Sequence, residues 1–183
     1  MSLVITVVTT ANRMRTFQQT DPARIAAVLD SLQRSAQLFR QQSLIIVGDE
    51  STEIISPGSI TRIELEAQQD LAPYLPNSLW PFIHAIPQEA LTQPGKIDEQ
   101  GAATRVDVYF TGGDTLAGWL EATSNATPSE RTARNTRIFE EPVITYTTQR
   151  GGIGLINPAN MIRARVAAAL PYPPANAWFA NEA

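Results

Sequence analysis

Hydrophobic and polar residues alternate with a period of two through residues 4–9 and again through 14–18, with Ala11-Asn12 between them, a pattern that predicts a β-hairpin. The period then changes. Ile25, Val28, Leu29, Leu32, Ala36 and Phe39 recur at helical spacing, Asp21 stands as an N-cap and Pro22 takes the first helical position, so a helix is predicted over 21–41. Beyond it, 44–47 and 52–55 predict two short strands about the turn Gly48-Asp49-Glu50-Ser51. Pro57-Gly58-Ser59 predicts a single 3₁₀ turn. Residues 60–66 predict a closing strand, with Ile63 and Leu65 on one face and Arg62, Glu64 and Glu66 on the other.

The same recipe recurs later in the chain. Residues 106–111 and 115–121 predict a hairpin about Gly112-Gly113-Asp114, 128–135 a weak helix, and 143–148 and 153–156 a second hairpin about Gln149-Arg150-Gly151-Gly152. Pro158-Ala159-Asn160 then turns into a last strand over 162–167. The segment from Ile55 to Ala67 lies over that from Ile156 to Ala168 with Ile55/Ile156, Pro57/Pro158, Arg62/Arg163 and Ala67/Ala168 identical, and at nearly the same offset residues 4–9 fall over 106–111 and Phe17 over Trp119. Collinear agreement at several places points to an internal duplication.

The expected fold is therefore α+β and β-rich: two duplicated, small, barrel-like units, each running β-hairpin, helix, β-hairpin, 3₁₀ turn, β-strand, related by pseudo-two-fold symmetry. The first unit spans 1–68 and the second 105–183. Between them, 69–104 is a proline-rich connector whose Trp80 and Phe82 are too apolar to be left free, so it is expected to dock. The tail repeats that style in Pro171-Tyr172-Pro173-Pro174 and Trp178-Phe179. In architecture alone such a unit resembles the small SH3-like and Sm-like barrels, from which the helix after the second strand departs.

Composition narrows the chemistry. Among 183 residues there is no cysteine, which excludes disulfides, thiolate nucleophiles, iron–sulfur clusters and cysteine-ligated zinc. The single histidine, His84, excludes a two-histidine metal site within one chain. No cofactor and no metal are expected. Eighteen acidic residues against fourteen basic give a formal charge of −4, which argues against nucleic acid as a partner. No apolar run approaches the roughly eighteen residues needed to span a bilayer, and the start lacks the basic and apolar regions of a signal peptide, so a soluble, cytoplasmic protein is expected.

These features give as the leading expectation a non-catalytic structural or protein-interaction module that self-associates, because two fused similar units mimic a homodimer and expose strand edges. An alternative is a module binding a small ligand or a single-stranded nucleic acid in the groove between the units. There Arg13, Arg15, Phe17 and Trp119 would form a cationic stacking surface, with Arg150 beside the glycine-rich turn as an anion contact. A second alternative is a hydrolase-like enzyme using His84 and a carboxylate.

Overall fold

The computed structural model describes residues 2–74, 83–86, 103–121, 127, 129–130, 133, 136–167 and 173–180. The described residues are β-rich, with one α-helix among the elements whose bounds are described. Eleven strands are described: β1 (Leu3–Thr9), β2 (Met14–Gln19), β3 (Leu44–Val47), β4 (Thr52–Ile55), β5 (Ile60–Ala67), β6 (Ile83–Ala85), β7 (Ala103–Phe110), β8 (Thr115–Glu121), β9 (Ile144–Thr147), β10 (Ile153–Ile156) and β11 (Met161–Val166). Nine of them form one sheet in the order β11-β7-β8-β6-β9-β10-β5-β1-β2, and β3 and β4 pair as a separate hairpin. All neighbours are antiparallel except β6 and β9, so the large sheet is mixed. It is also open: the described strands run on from edge to edge and do not close into the small barrels expected from the sequence.

Helix α1 (Pro22–Ser31) starts as the sequence dictates, the Asp21 carboxylate accepting from the backbone N–H groups of Ala23 and Arg24 at 2.8 and 3.2 Å. It is shorter than the expected 21–41. The Ser31 hydroxyl donates to the Val28 carbonyl at 2.6 Å, and the chain continues over Leu32–Arg40 as 3₁₀ turns broken at Arg34, whose φ of −109° and ψ of 21° leave the helical region. A serine hydroxyl bonding back to the preceding turn competes with the helix ladder and bends it. The apolar repeat survives this change of winding: Ile25, Leu29 and Leu32 are all buried in one core.

The described residues form two cores. One gathers Leu3, Val7, α1, Ile60, Ile63 and Leu65 with Ile153 and Leu155; the other gathers Ile83, Val106, Val108, Phe110, Ile144, Tyr146 and Ile156. Strand β10 feeds both and is buried throughout, because it is the seam at which the two halves join: it pairs with β9 on one side and with β5 on the other. The connector, expected to dock as a loop, contributes strand β6 to the middle of the sheet; its Trp80 and Phe82 lie outside the described residues, as do most of the predicted 128–135 helix and Pro171 and Tyr172 of the tail. Among the described residues no helix is long and apolar enough to cross a membrane.

The seam is locked by two asparagines. Asn157 Nδ2 donates to the Pro57 and Ile60 carbonyls at 3.1 and 3.0 Å, its N–H donates to Thr61 O at 2.9 Å, and Asn160 Nδ2 donates to Gly58 O and Ile60 O at 2.9 and 2.8 Å. The join runs one way. A two-fold relation would also pair β4 with β11, and among the described residues that pairing is absent. Replacing the buried Asn157 by Ala leaves the Pro57 carbonyl without this donor, and we expect urea unfolding to show a loss of about 2 kcal/mol; a loss below about 0.5 kcal/mol, the scale of an ordinary surface change, would mean that the turns do not hold the halves together.

Candidate functional site

Three features of the molecule invite a functional reading: a polar cleft at the seam, an apolar cavity beneath α1, and the open sheet edges. The cleft, about 270 Å³, lies between β5, β8, β9 and the residues that follow β6, and its wall includes Arg62, Glu64, Glu66, Tyr146, Thr148 and Arg150. Tyr146 on β9, Gly154 on β10 and Glu64 on β5 stand in one row across three strands. A Cβ at Gly154 would come within 2.0 Å of the Tyr146 ring, so only glycine lets that ring cross the middle strand. The Tyr146 hydroxyl then donates to Glu64 Oε1 at 2.6 Å.

Arg62 ties the row to the rest of the second half. Its Nε donates to Glu64 Oε1 at 3.0 Å, its terminal nitrogen pairs with Asp114 in the β7–β8 turn, and its guanidinium carbon lies 5.9 Å from the Phe110 ring centroid. At the rim Arg150 pairs with Glu66 at 3.3 Å. Burial, and then the negative charge of Glu64, push the Tyr146 hydroxyl well above its ordinary pKa, so it is held as a neutral donor. Arginines, carboxylates and phenol here satisfy one another across strands of both halves, which is the chemistry of a structural lock.

The apolar cavity, about 620 Å³, is enclosed by α1 and the turns after it, by β3 and by the sheet face of β1, β2, β5 and β10; Phe17, Val28, Leu32, Ile46, Ile63 and Leu155 are among the residues that line it. Gln18, Gln19, Arg34 and Gln41 are among its polar lining residues.

The open edges carry exposed aliphatic side chains. Ile45 and Ile54 face each other across the β3–β4 hairpin with Val47 beside them, and Ile162 stands on β11 at the far end of the sheet. Trp178 and Phe179 in the tail are also exposed.

The residues singled out from the sequence do not gather. Arg13 lies exposed beside the β1–β2 turn, Arg15 on β2 pairs with Glu53 of the hairpin, and Phe17 points into the apolar cavity. Trp119 is on β8, opposite His84 and Arg105, with five strands between β8 and β2. Arg150 alone reaches the polar cleft. In the strand pairings Thr9 lies opposite Ile60 and Phe110 opposite Met161, while Ile5 lies opposite Phe17 and Val106 opposite Gly118. Trp119 itself pairs with Arg105, and a one-residue slip reverses the face a strand residue serves. The Ile83 side chain packs against Gly118 there.

His84 sits on β6 with its position opposite Trp119 on one side and Thr147 on the other, while the cleft wall is formed by its neighbours Ala85 and Ile86. Among the described residues no three His, Asp or Glu side chains gather as a metal site. The Tyr146–Glu64 row was not foreseen; its signal in the sequence is Gly154, a glycine inside a strand. The exposed hairpin was signalled by Leu44-Ile45-Ile46-Val47, apolar on both faces of a strand.

The sign of the tyrosine shift fixes a pH dependence. With its folded pKa raised, Tyr146 contributes fully while both states are neutral, below about pH 10, and the contribution falls as pH rises further, since the unfolded phenol ionises first. We expect Tyr146→Phe to lose about 1–2 kcal/mol at neutral pH and to show a shallower alkaline decline in urea midpoint than the parent; equal alkaline slopes would remove Tyr146 from this role.

Comparison of the chain with protein-family models, with curated proteins and with solved structures finds no match to any of them.

Proposed function

We propose that the chain is a non-catalytic structural module, built from two copies of one unit, that acts by associating with itself. The observation that carries this reading is a matched pair of sheet ends, one covered and one open. The order β5-β1-β2 in the first half recurs as β11-β7-β8 in the second, with the closing strand and the hairpin return on the same sides of the first strand. Both closing strands break register at one place, skipping Thr61 against β1 and Ile162 against β7. Thr10 N donates to Ser59 O at 2.8 Å and Thr111 N to Asn160 O at 2.9 Å, and positive φ falls at Asn12 and Gly113. Every one of these pairs is related by the same offset of 101 residues.

The two copies differ in what covers them. The second-half hairpin lies inside the sheet between β6 and β5, whereas the first-half hairpin keeps its outer aliphatic face in water. Unpaired strand edges beside exposed aliphatic side chains are the ordinary substrate of strand-to-strand association. Sedimentation equilibrium is expected to show a weight-average mass that rises above that of one chain between micromolar and submillimolar concentration. A constant monomer mass over that range overturns the reading.

A second reading, capture of a small apolar ligand, is favoured by the cavity beneath α1, whose volume falls within the roughly 300–1,000 Å³ common to ligand sites. Filling it with Leu32→Trp is expected to abolish the fluorescence gain of an apolar dye; a dye that binds the variant as well as the parent is bound elsewhere.

A further inference from the structure

The joint between the two halves has an unfilled counterpart in β4 and β11, and we propose that a second copy fills it: β4 of one copy adds antiparallel to the outer edge of β11 in the next. This rests on the reading of the chain as two copies of one unit. Its template is the internal seam, where β10, the return strand of the second hairpin, adds to β5, the closing strand of the first half, in the register Ile153–Leu65, Gly154–Glu64, Leu155–Ile63 and Ile156–Arg62. Carried through the offset of 101 residues, that register places Thr52 opposite Val166, Glu53 opposite Arg165, Ile54 opposite Ala164, and Ile55 opposite Arg163.

Three observations favour a copy of this chain as the occupant. The first is burial. Where the internal seam covers the closing strand, Thr61 is 0% exposed and its carbonyl accepts from the Asn157 N–H, whereas Ile162 at the same bulge of β11 is 67% exposed. On the hairpin side Leu155 is 0% exposed at the seam and its counterpart Ile54 is 71% exposed. Thr61 and Leu155, buried at the internal joint, thus each have an exposed aliphatic at the matching open position, and docking would cover both at once.

The second observation is charge. The transferred register sets Glu53, which pairs with Arg15 in its own chain, across from Arg165, while Asp49 and Glu50 in the hairpin turn give that end of the hairpin the opposite sign to a closing strand bearing Arg163 and Arg165. Directly opposed unlike charges stabilise an antiparallel pair, and like charges oppose it. The third is availability: among the described residues β4 pairs only with β3, and β11 only with β7, so each retains one edge for a partner.

The external joint is weaker than its template. Ser56 and Ser59 stand where Asn157 and Asn160 lock the internal seam, and their short side chains have no amide to reach across to a neighbouring turn. Association is therefore reversible and concentration-dependent. Because the hairpin at one end meets the closing strand at the other, the contact is head-to-tail and generates rings or filaments instead of a symmetric pair.

The cysteine-free chain makes a clean test. Two single variants, Ile54→Cys and Ala164→Cys, are mixed and mildly oxidised, with each variant alone as control and the double variant as a check for closure within one chain. The expected result is a disulfide-linked heterodimer in the mixture, far exceeding the homodimer in either control. Homodimers of Ile54→Cys equal to the mixed product, or an internal disulfide in the double variant at high dilution, would each overturn the proposal. Arg165→Glu is expected to lower the association constant about three- to tenfold, and the added Glu53→Arg to restore most of it. Association that persists in sedimentation while mixed cross-links fail and the charge variants leave it unchanged refutes this joint and spares the self-association reading. A parent chain that remains monomeric refutes both.

Discussion

A β-strand presents hydrogen-bonding groups along both of its edges, and in this protein the second edge of β5 is satisfied only from the other half of the chain. That constraint organises the molecule. By accepting β10, strand β5 fuses the three strands β5, β1 and β2 with the other six into one nine-stranded sheet and draws Ile153 and Leu155 into a core whose other buried residues come from the first half. Burial at the seam is then unavoidable, and the side chains found there are those that tolerate it: aliphatics along β10, asparagine amides that satisfy the turn carbonyls, and a glycine over which a tyrosine ring can pass.

The polar row of Tyr146, Glu64, Arg62 and Asp114 is best understood through the same seam. Charged groups removed from water must be matched, because an unpaired buried charge costs several kcal/mol. Here Glu64 receives donors from both Arg62 and Tyr146, and Arg62 also reaches Asp114 and the face of Phe110. Three of these five residues come from the second half and two from the first, so the network forms only when the halves are in register.

Where the seam has no counterpart, the molecule is left open. The β3–β4 hairpin is half-packed, with Leu44, Ile46 and Ile55 on the first core and Ile45 and Ile54 in water, and a two-stranded hairpin gains stability from whatever covers its faces. The cavity beneath α1 belongs to the same region, lined by the 3₁₀ stretch after Ser31 and by the detached hairpin. Trp178 and Phe179 add exposed aromatic surface in the tail.

The sequence by itself determined what depends on neighbours in the chain. Asp21-Pro22 set the start of α1, period-two alternation set β1, β2, β7 and β8, and Pro57 and Pro158, whose fixed φ suits a tight turn, set the two 3₁₀ turns. Alternation by itself is nearly indifferent to a shift of one residue until pairing partners fix the face. Tertiary structure alone decided which edge meets which: that β6 enters the sheet, that β10 joins β5 while β4 joins nothing further among the described residues, and that Tyr146 reaches Glu64, 82 positions away in the chain. Local periodicity encodes a strand and its faces, but the hydrogen bonds along a strand's edges are interchangeable from one strand to another, so the choice of partner is made only by packing, burial and charge once the chain is folded.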